Sequence, residues 1–107
     1  MENERHVLIM VQYLDMDFDW DKDKAKANVG KHRVTFNDAM TAFGDANAII
    51  KDDDEHSLDE ERFILLGISK ESHLLMVCHC YRDNDNVIRI ISARKANRHE
   101  ENEYGGY

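Results

Sequence analysis

The stretch LLMVCHCYRDNDNVIRIISARKA, residues 74–96, decides the fold, because two apolar runs flank a short polar segment. The first run, LLMVCHCY (74–81), is nearly continuous in apolar character, which is typical of a central strand. The second, VIRIISA (87–93), is rich in β-branched residues, and DNDN (83–86) between them has the composition of a turn. The stretch therefore predicts an antiparallel hairpin.

Two further strands are predicted upstream of this hairpin. RFILLGIS (62–69) is joined to it through the turn-like KES, and residues 48–52 form a weaker strand candidate. FDWD (18–21) indicates a short strand that runs into a helix. Residues 1–16 match the rest poorly and are expected to be an N-terminal extension, in which HVLIMVQYL (6–14) can pair at a sheet edge.

The first helix is expected to begin after FDWD, with Asp19 or Asp21 as its N-cap, because a carboxylate accepts hydrogen bonds from the free N–H groups of the first turn. Ala25 and Val29 are spaced i, i+4 and are expected to share its apolar face. Gly30 is a natural position for this helix to end.

TFNDAMTAFG (35–44) gives the clearest helical pattern. Thr35 with Asp38 resembles a capping box, and the apolar positions fall at i, i+3, i+4 and i+7. Ser92 is expected to cap a last helix over residues 93–103. The order of elements predicts an α+β fold, in which two N-terminal helices and a C-terminal helix pack against one face of a small antiparallel β-sheet. Residues 17–107 are expected to form a single domain.

The composition limits the protein class. With 107 residues, 42% of them apolar and 34% charged, the chain is expected to form one globular domain. It contains no run of about 18 apolar residues, so no membrane span is expected, and no signal peptide is indicated. Cys78 and Cys80 lie two apart on one strand, which is a poor disulfide geometry. Reduced cysteines fit a cytoplasmic protein.

Charge is distributed unevenly along the chain, whose formal net charge is −8. Residues 52–61 contain seven acids and no Lys or Arg, whereas residues 82–98 contain five cations against Asp83 and Asp85. A net acidic chain can carry a basic surface, and an anionic ligand responds to that local field. Both segments can equally be ordinary solvated faces.

The arginines of the hairpin suggest an anion site. Strand alternation places Ile88, Ile90 and Ser92 on one face and Arg89 on the other. If the hairpin closes across DNDN, Arg82 lies near Arg89, and two close cations require acids or a bound anion to neutralise them. Guanidinium groups bind phosphate oxygens in a bidentate manner, so phosphate is one candidate. The alternative is that acids of the fold itself, such as Glu60, Glu61 or Glu100, pair with these arginines.

Other chemistry is less strongly indicated. Lys31 and His32 follow the first helix, and a histidine beside a basic stretch can act as an acid or base near neutral pH. His79 is expected to point to the face opposite Cys78 and Cys80, which is not a zinc-ligand arrangement. Residues 52–56 offer carboxylates for a divalent ion, although such acidic loops are usually solvated. No phosphate-binding loop, dinucleotide motif or serine elbow is present.

Taken together, three segments resemble a known family, the BrnT-type toxins of bacterial type II toxin–antitoxin modules. They are FDWDKDKAKANVGKHRVTFNDAMTAF (18–43), the D…HS…EER…GIS pattern (52–69) and IRIISARKANRHE…Y (88–104). The resemblance implies a RelE-like fold and a small ribonuclease that halts translation. It also implies a BrnA-like antitoxin partner, which blocks the toxin and with it represses their operon, so that operator DNA is contacted only through the complex. A homodimer or a heterotetramer with the antitoxin is a further expectation.

The resemblance also implies which residues act. In families of this fold RNA lies on the sheet face, and cleavage without metal uses attack by the ribose 2′-OH while cations stabilise the charge on phosphorus. The family's recurring polar residues are here Lys31, His32, His56, Glu61, Arg62, Arg82, Arg89, Arg94, Glu100 and Tyr104. Arg62, Arg82 and Arg94 are predicted to hold the phosphate, and His32 or Lys31 to transfer protons. The predicted RNA-binding residues are Arg33, Arg89, Lys95, Arg98 and Tyr104. No metal and no cofactor are expected.

Two departures from the family accompany this prediction. The family usually has glycine after the Lys-His pair, where this chain has Arg33. The chain is also acidic for a protein that binds RNA, since RNA affinity gains from counterion release at cationic contacts. The competing hypotheses are a catalytically silent binding module that pairs with an antitoxin, and a metal-dependent hydrolase that uses the acids of residues 52–56.

Overall fold

The computed structural model describes residues 16–57 and 59–105. The predicted edge strand HVLIMVQYL lies outside the described residues. The strands are β1 (Asp17–Asp19), β2 (Ile49–Asp52), β3 (Phe63–Ile68), β4 (Leu74–Arg82) and β5 (Val87–Lys95). The helices are α1 (Lys22–His32), α2 (Phe36–Thr41) and α3 (Arg98–Tyr104), and single 3₁₀ turns span Ala42–Gly44 and Asp54–His56. No helix within the described residues is long and apolar enough to cross a membrane.

The strands form one mixed sheet in the order β1-β5-β4-β3-β2. The predicted meander of β2 to β5 is confirmed, with β4 in the centre and every neighbouring pair antiparallel. The prediction of a wholly antiparallel sheet is wrong at one edge, because β1 runs parallel to β5. Helices α1 and α2 and three strands separate β1 from β5 in the chain, so no tight turn forces the two strands to run in opposite directions.

The two faces of the sheet are covered differently. The core face packs against α1 and α2, and its buried side chains include Phe36, Phe43, Leu65, Val77 and Ile88. The opposite face, called the pocket face below, carries a smaller cluster of Leu66, Leu74 and Met76, against which Tyr104 of α3 packs. The C-terminal helix therefore lies across the sheet from the other two, and the predicted arrangement of all helices on one face is not observed.

A β-bulge in β5 interrupts the alternation of that strand. Cys78 of β4 is opposite Ser92, but the next residue, His79, is opposite Ile90. Ile91 is thus the extra residue of the bulge. One inserted residue reverses the faces of all following side chains, since side chains alternate with a period of two.

The bulge determines which polar residues reach the pocket face. Ile90 before it and Ala93 after it are both buried in the core cluster. Ser92 and Arg94 therefore lie on the same face as Arg89, and the predicted grouping of Ser92 with the buried isoleucines is wrong. Without the extra residue, Arg94 would point into the apolar core.

The ends of α1 show how the local sequence sets its length. The Asp21 carboxylate caps the helix, accepting from the N–H groups of Asp23 at 2.8 Å and Lys24 at 3.0 Å. The helix continues past Gly30, where it was predicted to stop, and closes at Arg33 with φ 58° and ψ 32°. This left-handed conformation is one that glycine adopts without penalty and most other residues avoid.

The sheet-facing side of α1 also differs from the prediction. Ala25 packs against the core, but Val29 is 43% exposed. The buried partner of Ala25 on this helix is Asn28, three residues further on. A buried amide costs free energy unless it is hydrogen-bonded, so its position here requires specific partners.

The other two helices are capped by their own side chains. Thr35 caps α2 as predicted, accepting from the N–H of Asp38 at 3.0 Å. The last helix begins later than predicted, because β5 continues to Lys95 and Ser92 lies within the strand. Its N-cap is Asn97, which forms a reciprocal capping box with Glu100.

Candidate active site

A pocket of about 370 Å³ opens on the pocket face beside the second half of β5. Its apolar surface comes from Ile64, Met76, Cys78, Ile91 and Ala93. Its polar lining comes from the end of α1, the loop after β2, the start of β3 and β5, and consists of His32, Asp53, Glu55, His56, Arg62, Ser92 and Arg94. Two imidazoles and two guanidiniums thus surround one concave site.

Asn28 fixes the end of α1 against β5. Its Nδ2 donates to the carbonyls of Val34 at 2.9 Å and Ala93 at 2.8 Å, and its Oδ1 accepts from the Ala93 N–H at 3.0 Å. Within the described residues the side-chain amide takes the place of a strand's peptide group here, since β1 pairs with residues 87–89 of the same edge. His32, one turn further along α1, is thereby held at the pocket.

Asp53 organises the opposite wall of the pocket. It is buried, and both carboxylate oxygens lie 3.0 Å from Nδ1 of His56. The backbone N–H of Asp53 donates to the carbonyl of Arg62 at 2.9 Å, which ties the loop to the start of β3. A carboxylate at Nδ1 selects the tautomer protonated there and leaves Nε2 of His56 as the nitrogen that can accept a proton.

Cys78 is a donor to Asp53 and not a nucleophile. Its Sγ lies 3.5 Å from Oδ2 of Asp53. Burial, together with this hydrogen bond, raises the pKa of the Cys78 thiol to about 11. The thiol is therefore protonated at neutral pH, and a protonated thiol is a poor nucleophile because the thiolate is the reactive form.

Arg62 is the pocket arginine for which residues 16–57 and 59–105 supply no carboxylate partner. No acid of the described residues lies within ion-pair distance of its guanidinium, and its Nε is buried without a hydrogen-bond acceptor in the same part of the chain. A buried N–H without an acceptor costs free energy, which a phosphate oxygen would recover. Arg62 therefore has the capacity to bind an anion.

Arg94 is held by Glu100 of α3. The two Nη atoms donate to the two carboxylate oxygens at 2.7 and 2.8 Å, and Glu100 Oε1 also accepts from the N–H of Asn97 at 2.8 Å. This bidentate pair raises the pKa of Arg94 and lowers that of Glu100. The carboxylate orients the guanidinium and offsets its charge, and within the described residues Glu100 is the acid that pairs with Arg94.

Of the five predicted catalytic residues, the pocket brings together His32, Arg62 and Arg94. Lys31 is exposed in the last turn of α1 and does not line the pocket. Arg82 lies at the hairpin end of β4, opposite Val87, and forms an exposed ion pair with Glu60.

Arg82 and Arg89 lie on neighbouring strands, as predicted, but they are diagonal to each other and not directly opposite. Cys80 and not Arg82 is directly opposite Arg89. Each of the two arginines has its own acid, Glu60 for Arg82 and Asp19 for Arg89, the latter at 3.3 Å. Acids of the fold therefore neutralise the two hairpin arginines, and no bound anion is needed there.

The remaining predicted RNA-binding residues do not line the pocket. Arg33, Lys95 and Arg98 are exposed at the end of α1, the end of β5 and the start of α3. Tyr104 instead donates to Oδ2 of Asp45 at 2.6 Å. Burial and this hydrogen bond raise the pKa of Tyr104 to about 12, so its hydroxyl stays protonated and has a structural partner.

His79 points to the face opposite Cys78 and Cys80, as predicted, and that face is the core face. It is fully buried, its ring lies edge-on to Phe43, and Nδ1 donates to the Val77 carbonyl at 3.0 Å. Burial lowers the pKa of His79 to about 4, so the ring is neutral near pH 7.

A family model described as ribonuclease toxin, BrnT, of type II toxin–antitoxin system matches residues 20–100. The chain belongs to the BrnT toxin family. Its fold is similar to the 1.1 Å crystal structure of the Brucella abortus ribonuclease toxin BrnT, with a TM-score of 0.60 and 20% identity over 78% of this chain and 99% of that chain. No curated protein matches the chain significantly. The family is described as ribonuclease toxins of type II toxin–antitoxin systems, and a toxin of this type implies an antitoxin partner.

Asp53, which lines this BrnT pocket, and Asn28, which lies behind it, are not among the predicted catalytic or RNA-binding residues. Asp53 belongs to residues 52–56, which the sequence indicates as either a solvated loop or a divalent-ion site; in the structure it is the buried carboxylate that holds His56. Asn28 was assigned no role, although it bonds α1 to β5. The i, i+3 spacing of Asp53 and His56 is a usable signal for the first, whereas the second depends on a contact between residues 65 apart.

Proposed function

We propose that this BrnT-family chain is an endoribonuclease whose active site is the pocket of His32, His56, Arg62 and Arg94. The observation that carries the proposal is the convergence of two imidazoles and two guanidiniums on one site, with one imidazole oriented by a buried carboxylate. A general base, a general acid and cations for a phosphate are the groups that RNA transesterification requires.

In the proposed reaction Nε2 of His56 removes the proton from a ribose 2′-OH, and Asp53 stabilises the resulting imidazolium. The 2′ oxygen attacks the adjacent phosphorus, and Arg62 and Arg94 stabilise the charge on the non-bridging oxygens. His32 donates a proton to the leaving 5′ oxygen as the P–O bond breaks. The products are a 2′,3′-cyclic phosphate and a 5′-hydroxyl, and no metal takes part.

The wider role follows from the family. The chain is proposed to inhibit translation in the cytoplasm by cutting RNA, with residues 17–107 as a RelE-like toxin domain and residues 1–16 as an extension. A BrnA-like antitoxin is the proposed partner, which neutralises the toxin and contacts operator DNA in a complex such as a heterotetramer. Arg33, Arg89, Lys95 and Arg98 are proposed as outer contacts for RNA, since they are cations outside the pocket.

One observation favours a second candidate, a binding module that pairs with an antitoxin and does not cleave. Arg82, Arg89 and Arg94 each face a carboxylate of the same chain, which reduces the positive field available to RNA. In this alternative Arg62 binds an acidic group of the partner. Both candidates predict an antitoxin complex, so cleavage itself has to be measured.

The test uses the purified chain and a short single-stranded RNA in EDTA, with product ends identified by mass spectrometry. We expect cyclic phosphate ends in the wild type, and a fall in the cleavage rate of about 10²-fold or more in His56→Ala and His32→Ala. The matched control is His99→Gln, because His99 is exposed on α3 and does not line the pocket. Folded wild-type protein without cleavage, or full activity in His56→Ala, refutes the proposed mechanism.

Translation is tested separately by expressing the chain alone and following the incorporation of a labelled amino acid. A rapid fall that His56→Ala relieves supports the toxin. No fall, with folded protein present, supports the binding module.

A further inference from the structure

A second cluster of ligand-type side chains lies away from the pocket. Asp38 of α2 and the β3–β4 turn residues Glu71 and His73 each offer one ligand atom, and these atoms all lie within 4.8 Å of one another. Asp38 reaches this position from the core face of the sheet, whereas the pocket opens on the opposite face. Asp38 and His73 are 35 residues apart, so their sequence spacing gives no metal-binding motif.

The state of Asp38 is the observation that needs an explanation. Its carboxylate is more than nine-tenths buried, and its Oδ1 has no hydrogen-bond partner within the described part of the chain. Buried carboxylate oxygens are normally hydrogen-bonded, paired with a cation or coordinated to a metal. The other oxygen, Oδ2, faces Nδ1 of His73 at 3.3 Å.

That distance suits a shared metal ion. A charge-assisted N–H···O hydrogen bond is usually about 2.7–2.9 Å long. Two ligands of a tetrahedral zinc ion, each about 2.0–2.1 Å from the metal, are about 3.3–3.4 Å apart. A cation between His73 and Asp38 therefore requires little movement of either side chain.

The two segments that carry these ligands are joined independently of the cluster. Thr41 Oγ1 donates to the Asp38 carbonyl at 2.6 Å and accepts from the N–H of Lys70 at 2.8 Å. Within the turn, Ser69 Oγ accepts from the His73 N–H at 3.2 Å. The helix and the turn are thus held together before any ligand binds, which lowers the entropic cost of binding.

We propose that Asp38, Glu71 and His73 form a structural binding site for a borderline divalent cation, with Zn²⁺ as the reference ion. One imidazole and two carboxylates are ligands that zinc accepts, and three protein ligands leave a fourth position for water. The bound ion connects α2 to the β3–β4 turn and takes no part in RNA cleavage.

The test is a zinc titration of the full chain after treatment with EDTA and removal of the chelator. We expect one zinc per chain by dialysis and metal analysis, and a rise in Tm of about 10 °C at a hundredfold excess of zinc over Kd. Glu71→Gln is the informative variant, because Glu71 is exposed and has no hydrogen bond or ion pair in residues 16–57 and 59–105. It should keep the wild-type Tm without zinc and bind zinc at least about tenfold more weakly.

His73→Gln is expected to lose zinc binding as well, and His56→Gln controls for zinc held at the pocket. The proposal is overturned if zinc does not raise the Tm of the wild type, or if Glu71→Gln binds zinc as well as the wild type does. It is also overturned if binding survives in both cluster variants and disappears in His56→Gln. None of these readouts depends on RNA cleavage, so the site is tested separately from the proposed ribonuclease.

Discussion

The bulge at Ile91 divides β5 into a hairpin half, residues 87–90, and a pocket half, residues 92–95. Each half carries one arginine that pairs with one carboxylate, but the two pairs differ in burial. In the hairpin half the backbone of β1 pairs with the outer edge, and Arg89 meets Asp19 in an exposed ion pair. In the pocket half the side chain of Asn28 is the group, among the described residues, that bonds to that edge at Ala93, and Arg94 meets Glu100. Both halves thus contain one arginine on the pocket face with one carboxylate.

The difference lies in the burial of the acid. The side chain of Glu100 is 10% exposed and that of Asp19 is 50% exposed. An exposed pair contributes little and changes partners readily, whereas a buried carboxylate with further hydrogen bonds fixes its arginine in one orientation. The comparison teaches that two arginines on one face of one strand differ in how firmly they are held, because one acid is buried and the other is exposed.

The largest expected effect on RNA cleavage comes from replacing the two ion pairs, Arg94–Glu100 and Arg89–Asp19, by neutral side chains. Arg94→Gln combined with Glu100→Gln removes the oriented cation without leaving a buried charge, and should lower the kcat of RNA cleavage about 10²–10³-fold. Arg89→Gln combined with Asp19→Asn should chiefly raise KM, by less than about tenfold, because an outer cation contributes to RNA affinity. Steady-state kinetics on one RNA separates the two effects. Equal losses of kcat would contradict the distinction between the two halves.

The edge of the pocket half depends on one amide. Asn28→Ala removes the partners of the Ala93 N–H, the Ala93 carbonyl and the Val34 carbonyl, each of which is then buried or must recruit water. At about 1 kcal/mol or more for each group, the free energy of unfolding should fall by about 3 kcal/mol. Urea denaturation measures this loss.

Asn37→Ala is the matched control for this substitution. Asn37 is exposed on α2, and its replacement should change the free energy of unfolding by less than about 0.5 kcal/mol. If Asn28→Ala is equally mild, water substitutes for the amide and Asn28 does not hold α1 against β5.

His79 lies opposite Ile90 at the bulge, on the core face. Its burial there makes the stability of the fold depend on pH. Its pKa is lowered from 6.5 to about 4 on folding, chiefly by burial. Between these values the unfolded chain binds a proton that the folded chain does not, so stability is complete above pH 6.5 and decreases as the pH falls toward 4. The total loss approaches about 3 kcal/mol.

Urea denaturation at several pH values between 4 and 7 measures this loss. His79→Leu should flatten the dependence, whereas His99→Gln should keep it. A wild-type free energy of unfolding that stays constant from pH 7 to pH 4.5 would show that His79 does not stay neutral in the fold.

Short-range patterns were enough to predict most of the elements. The capping of α2 by Thr35 depends on residues three apart, and the β2–β5 meander on apolar runs joined by turns, so both were predictable. The bulge at Ile91 was not, because an inserted residue leaves no mark on composition and the isoleucines fit either face. The site was predictable in part through the family resemblance, which selected His32, Arg62 and Arg94. Asn28 acts through a contact between residues 65 apart, which no short-range pattern indicates, whereas Asp53 and His56 are only three residues apart.

The smallest expected effect on the free energy of unfolding comes from the residues with positive φ in the turns beside the two halves of β5. At the hairpin end Asp83, Asn84 and Asp85 have φ values of 52°, 53° and 68°, and such short polar residues tolerate the left-handed region. At the pocket end Arg33 adopts φ 58°, at the position where the family resemblance implies a glycine. Arg33→Gly should therefore raise the free energy of unfolding by about 1 kcal/mol, the gain from relieved strain exceeding the added freedom of the unfolded chain. Asn84→Gly should change it by less than about 0.5 kcal/mol, and urea denaturation compares the two.

The KM for RNA shows whether Arg33 also binds substrate. If Arg33→Gly raises this KM, Arg33 contributes a phosphate contact, and its backbone strain is retained for binding. If KM stays unchanged while stability rises, Arg33 has no role at the pocket.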